Sequence, residues 1–153
     1  MGSVWRAIQM STGREVALKE LPAEALESTA ARSRFEEEIQ WASLLQHSHI
    51  ARVYDSGLLE GSYVYAMELI QGEHLDDYAR RNQWTLRQML EMMVLIAKAM
   101  HYAHTRNVLH LDLKPTNIMI TPEGKPIILD FGLARLVRNT PGDKSPRYGN
   151  VIA

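Results

Sequence analysis

The stretch His110-Leu111-Asp112-Leu113-Lys114-Pro115-Thr116-Asn117, followed by Asp130-Phe131-Gly132, decides how this chain is read. It sets two carboxylates, an amide and a lysine at fixed separations: Asn117 lies five residues beyond Asp112, and Asp130 lies 18 beyond it. Each residue type has a distinct use. Carboxylate and amide oxygens are hard ligands that suit Mg2+. A carboxylate within hydrogen-bond reach of a hydroxyl can take its proton. A lysine supplies positive charge against the mutual repulsion of phosphates. Together such a set can hold Mg2+, a triphosphate and an attacking hydroxyl.

The bulk of the chain narrows the setting. Its 153 residues suffice for one domain with one moderate core. Lys and Arg number 17 and Asp and Glu 18, a formal net charge of −1, so nothing draws the whole chain to nucleic acid or to an anionic membrane. The absence of cysteine excludes disulfides and thiolate zinc sites and fits a reducing compartment. Met1 leads into a mixed segment and not into an apolar run, so no secretory signal is expected. Met92 to Ala97, the longest apolar stretch, falls far short of the ~20 residues of a membrane span.

Periodicity divides the chain near position 70. Val4 to Ile8 and Glu15 to Lys19 read as strands joined by a turn at Ser11-Thr12-Gly13. A helix is predicted from about Ser28 to Leu45, then strands at Ile50 to Tyr54 and Tyr63 to Leu69, with Gly57 and Gly61 in the connection. Gln71-Gly72 breaks this pattern. Beyond it come a short helix, Leu75 to Arg81, and a longer one reaching about His104, opened by a capping box at Thr85-Leu86-Arg87-Gln88. A late hairpin is expected from Ile118 to Ile120 and Pro126 to Leu129, and 137–153 reads as an irregular loop. The expected fold class is α+β: a β-rich small lobe with one helix over 1–70, and the start of a helical large lobe over 71–153.

Two patterns add chemistry to the small lobe. In the strand Val16-Ala17-Leu18-Lys19, Ala17 and Lys19 share a face opposite to Val16 and Leu18. On the helix, Phe35, Ile39, Ala42 and Leu45 form an apolar stripe. At about 100° per residue Glu38 lies within it, while Glu36 and Glu37 project away. A glutamate on a buried face requires a cation, and Lys19 is the candidate. His101 and His104 share a helix face, but without His-Glu-x-x-His or cysteine a zinc site is not expected. Met89, Met92, Met93 and Met100 read as core filler.

These segments resemble the protein kinase family. The opening stretch resembles its catalytic loop, H-R-D-L-x-x-x-N, and its D-F-G motif, with Leu111 where many members have Arg. Val16-Ala17-Leu18-Lys19 resembles the V-A-I-K strand, and Met67-Glu68-Leu69-Ile70 resembles the hinge. The resemblance implies that Asp130 ligates the Mg2+ bridging the phosphates and that Asn117 binds a second metal. It implies that Asp112 accepts the proton of the substrate hydroxyl and that Lys114 stabilises the transferred γ-phosphoryl. Lys114 followed by Pro115 is the serine/threonine form. ATP would be held by Lys19, paired with Glu38, by Met67 behind the adenine, by backbone groups of Glu68 and Ile70 at its edge, by Val4 and Ala17 above, and by Met119 below. His110 would be a packed scaffold residue beneath Phe131.

Met1-Gly2-Ser3-Val4-Trp5-Arg6-Ala7 is similar to the second half of the glycine-rich loop of bacterial eukaryotic-like serine/threonine kinases. The A-P-E motif is not found after Asp130. The resemblance therefore implies a kinase domain cut at both ends. Two functions stay open: an ATP- and Mg2+-dependent kinase, cytoplasmic or a cytoplasmic part of a longer protein, acting on a protein Ser/Thr hydroxyl; or a non-catalytic remnant, at most a nucleotide-binding or interaction module. Leu111 cannot pair with an activation-segment phosphate, so Thr140, Ser145 and Tyr148 are expected not to be activating phosphosites.

Overall fold

The computed structural model describes residues 3–21, 28–59 and 62–131. Met1, Gly2, Gly132, the predicted loop at 137–153 and the three expected non-phosphosites lie outside them. Strands β1 (Val4–Gln9) and β2 (Arg14–Glu20) form a hairpin whose turn closes with the Gly13 N–H donating to Gln9 O at 2.8 Å. Gly13 takes φ 67°, a left-handed conformation that glycine adopts without steric cost. Helix α1 (Thr29–Ser43) follows, then β3 (Val53–Leu59) and β4 (Ser62–Glu68), and the sheet order is β1-β2-β4-β3. Phe35 and Ile39 of α1 are buried together with Ala17, Leu21, Tyr65 and Met67 in a first core.

The remaining elements are β5 (Glu73–His74), α2 (Leu75–Arg81), α3 (Leu86–His104), β6 (Ile118–Ile120) and β7 (Pro126–Ile128). The last two strands pair with each other, and β5 adds to β6, a short strand that no sequence pattern announced. The capping box at the start of α3 is present: Thr85 accepts from the Gln88 backbone, and the Gln88 side chain accepts from Thr85 N. Ile96, Ala99, Ala103, Ile118, Ile120 and Ile128 anchor a second core.

Two expectations need correction. Ile50 does not begin a strand. Ile50 pairs with Ile128 as an isolated parallel bridge, and the Ala51 N–H donates to Ile128 O at 2.9 Å. Leu45 and Ile50 are thereby drawn into the second core. The third strand starts instead at Val53 and runs through Gly57, which faces Val64 of β4. The second correction concerns Met93, which is 44% exposed, although Met92 beside it is buried.

Gly72 has a packing reason. A Cβ there would stand 2.2 Å from the carbonyl oxygen of Ile120, a backbone atom that cannot turn aside. Gly72→Ala is expected to lower stability by about 1–3 kcal/mol, the usual cost of forced overpacking. Urea unfolding of the full-length gene product in the two forms measures it, and equal midpoints would show that β5 and β6 can separate freely.

Candidate active site

Register places most of the residues expected beside a nucleotide on one face. In antiparallel pairs, residues directly opposite share a face, as do alternate residues along a strand. Val4 stands opposite Lys19, Lys19 opposite Tyr65, and Ala17 opposite Met67. Val4, Ala17, Lys19, Tyr65 and Met67 therefore line one face of the first sheet, with Val4 at its exposed rim. Ile70 follows β4. Glu68 spends its N–H on Arg52 O at 2.8 Å. Met119 lies on the second sheet, half-buried, and alternates with buried Ile118 and Ile120.

Lys19 forms an ion pair with Asp130, Nζ to Oδ2, and the other oxygen, Oδ1, accepts from the Tyr65 hydroxyl at 2.7 Å. The partner expected for Lys19 was Glu38; the ion pair seen at its ammonium is with Asp130. The Lys19 and Asp130 side chains are only 21% and 17% exposed. Where water is that scarce, unlike charges on facing elements meet directly. Glu38 is half-buried on α1, whereas Glu36 and Glu37 are exposed, the division that helical periodicity required. Burial, reinforced by the Asp130 charge, pushes the Tyr65 hydroxyl well above its ordinary pKa, so it remains a proton donor.

The catalytic-loop residues form a second group. Lys114 Nζ lies 2.8 Å from Asp112 Oδ2. Asn117 Nδ2 donates to Asp112 O at 2.9 Å and to Oδ2 at 3.2 Å. The bonded Lys114 ammonium holds the Asp112 carboxyl below the usual carboxylate range, against the opposing effect of burial. Asp112 is thus ionised at neutral pH and able to accept a proton. A 3-10 turn, Pro115–Asn117, brings Asn117 back towards Asp112, and its Pro needs no N–H donor there.

Scaffold contacts join the two groups. His110, 1% exposed, places Nε2 2.7 Å from Leu129 O, and its Nδ1 accepts the Asp112 N–H at 3.3 Å. The ring packs edge-on against Phe131, 4.8 Å between centroids, the placement that the family resemblance implied. Burial lowers its pKa, only partly offset by Leu129 O and the two carboxylates, so the ring is neutral with its proton on Nε2. Leu129 N–H in turn donates to Asn117 O at 2.8 Å. Leu111 and Asp130, at φ 62° and 58°, hold left-handed conformations unusual outside glycine, and both flank these contacts.

The donor set fits a hard divalent ion. Asn117 spends its amide nitrogen on Asp112, so its hard amide oxygen takes no part in that contact, and Asp130 has a carboxylate that already faces one cation, Lys19. Among the described residues no cluster of three His, Asp or Glu forms a metal cage. Mg2+ needs none, because phosphates and water complete its shell. Tyr65 is the residue of this site that sequence reading missed. Its signal was weak: a tyrosine on an inward-facing strand position must find a partner for its hydroxyl.

A four-stranded sheet with one helix, followed by a helical part that carries this loop arrangement, is the architecture of a protein kinase domain. Residues 1–149 match the protein kinase domain, and the chain belongs to that family. Among curated proteins it is similar to serine/threonine-protein kinase PknA of Mycobacterium tuberculosis, 38% identical over 147 residues, covering 92% of this chain and 34% of PknA. It is also similar to the probable serine/threonine-protein kinase SCO3848 of Streptomyces coelicolor, 35% identical, covering 88% of this chain and 21% of that protein. The crystal structure of the Mycobacterium tuberculosis PknI kinase domain superposes with a TM-score of 0.72 at 30% identity, over 86% of this chain and 54% of that one. The chain thus spans about a third or less of these curated relatives.

Proposed function

We propose that this chain carries the reacting groups of an ATP-dependent serine/threonine protein kinase. The observation that carries the reading is Asn117. Its side chain holds Asp112 through two contacts, and its backbone carbonyl holds Leu129, the neighbour of Asp130. One residue thereby ties the proton acceptor to the metal-binding carboxylate.

In this reading Asp112 takes the proton of a protein Ser or Thr hydroxyl as that oxygen attacks the γ-phosphorus. The bond from phosphorus to the β,γ-bridging oxygen breaks, and ADP leaves with the electron pair. Lys114, already beside Asp112, stabilises the transferred group's charge. Lys19 reaches the α- and β-phosphates. Asp130 and Asn117 would hold Mg2+, which when bound neutralises charge on the phosphates. Val4, Ala17, Met67 and Met119 would enclose the adenine. With the Glu68 N–H committed to Arg52, the adenine amino group would meet the Glu68 carbonyl, and Ile70 would supply the N–H. Among the described residues no helix is long and apolar enough to cross a membrane. A cytoplasmic setting, with ATP as donor, belongs to the same reading.

Asp112→Ala tests it. In the full-length gene product, phosphoryl transfer to a protein substrate is expected to fall about 10²–10⁴-fold, the usual worth of a general base. Mg2+·ATP affinity, measured by calorimetry, should stay within about twofold, because the role of Asp112 falls on the hydroxyl and not on the nucleotide. Unchanged transfer would remove Asp112 from the reaction. The exposed face of α3 favours a second reading for residues 1–153 in isolation, that of a nucleotide-binding or interaction module without transfer.

A further inference from the structure

Tyr65 is fully buried in the centre of β4, where an apolar side chain would serve the core as well. Its ring packs against Phe35 of α1, 6.4 Å between centroids, and stands opposite Lys19 in the register. Its hydroxyl reaches Asp130 Oδ1 across 65 residues of sequence. A buried hydroxyl needs a partner, and this one has taken a carboxylate assigned to metal binding. The two groups on Asp130 differ in kind. Lys19 is a cation that neutralises the carboxylate. Tyr65 is a neutral donor that orients it and leaves its charge available to another cation.

We propose that Tyr65 is a positioning residue for Asp130: its hydroxyl anchors Oδ1, so that Oδ2, which Lys19 holds here and gives up when it turns to the phosphates, is the oxygen presented to the metal of the Mg2+·nucleotide complex. The inference rests on the reading of Asp130 as the metal ligand. Hydrogen bonds to ligating carboxylates commonly govern metal affinity about 10–100-fold. Tyr65→Phe keeps the ring against Phe35 and removes only the hydroxyl.

The experiment uses the full-length gene product, with Mg2+ and ADP as probes. ADP affinity is measured by calorimetry in excess EDTA and across a Mg2+ titration, for the parent, Tyr65→Phe and Asp130→Asn. Tyr65→Phe is expected to raise the Mg2+ concentration for half-maximal enhancement about tenfold or more, with metal-free ADP affinity unchanged. A Tyr65→Phe titration superimposing on the parent, while Asp130→Asn loses the Mg2+ enhancement, would overturn the inference alone. If Asp130→Asn also kept the enhancement, the metal role of Asp130 would fall and the inference with it. Should Tyr65→Phe fail to fold, the parent still decides. The Tyr65 hydroxyl proton, observed by NMR with ring-labelled tyrosine, is expected to stay hydrogen-bonded in saturating Mg2+·ADP. Its loss on adding Mg2+·ADP would show instead that the contact opens for the metal, and would overturn the proposal.

Discussion

Asp130→Ala is expected to reduce phosphoryl transfer by about 10³-fold or more in the full-length protein. A metal ion's stabilisation of transferring phosphoryl charge is worth several kcal/mol, and each 1.36 kcal/mol is a factor of ten. Among the described residues placed at the site, only Asp130 and Asp112 offer a carboxylate from the loop segments, and Asp112 is bound to Lys114 and Asn117. No neighbour is therefore positioned to replace it. The substitution has a structural side effect that must be separated. It leaves the buried Tyr65 hydroxyl and the largely buried Lys19 ammonium without their partner, and an unsatisfied buried donor costs about 1–3 kcal/mol. Asp130→Asn keeps an oxygen for Tyr65 while removing the charge. Both variants should lose transfer, and Asn should retain more of the parent's thermal stability. Transfer at the parent's rate in Asp130→Asn, with Mg2+ present, would refute the assignment of the metal-binding carboxylate.

A protein made of residues 1–153 alone is expected not to be a competent kinase. The reason lies on α3. Arg87 and Glu91 pair at 2.9 Å on its polar strip, but Leu86, Leu90, Met93 and Val94 stand beside them 76%, 57%, 44% and 52% exposed. These positions follow helical spacing and make one continuous apolar face. The opposite face, with Met92, Ile96, Ala99 and Ala103, is already buried in the second core. Each large apolar side chain left in water forfeits roughly 1.5–3 kcal/mol, against a whole-domain stability of about 5–15 kcal/mol. Four such side chains would consume most of that margin. The isolated segment should bind a hydrophobic dye, associate or melt without cooperativity, and transfer no phosphate to protein. Extension through a complete kinase domain should restore a cooperative transition. A sharp melt, a monomeric mass and phosphorylation of a generic serine/threonine substrate by residues 1–153 would contradict the expectation.

The parts of the site legible in the sequence are those whose geometry is local. Asp112, Lys114 and Asn117 lie within one loop, and a single turn begun by Pro115 is enough to bring them together. The α1 stripe and the side on which Glu38 falls follow from the helical repeat alone. So does the start of α3, because the Thr85–Gln88 box satisfies its own backbone donors. The Ala17 and Lys19 face follows from strand alternation, which requires no knowledge of the neighbouring strand.

What the sequence could not supply is what stands across each face. Alternation says that Lys19 and Tyr65 point inward, but not that both converge on Asp130, 111 and 65 residues away. Ile50 reads as strand by its composition, yet it bridges to Ile128 through the hydrogen bonds of His49 and Ala51, and pairing there carries the segment out of the first sheet and into the second core. Gly72 reads as a break, while its need for a missing Cβ comes from Ile120 of a strand that arrives 48 residues later. Sequence by itself determined the family, the loop that groups Asp112, Lys114 and Asn117, and the periodic faces, because short-range sterics and motif spacing encode them. Only the tertiary structure decided the partner of Lys19, the use of the Tyr65 hydroxyl and the path of residues 50–53, because ion pairs, buried hydroxyls and bridge contacts depend on distances between segments that no local pattern specifies.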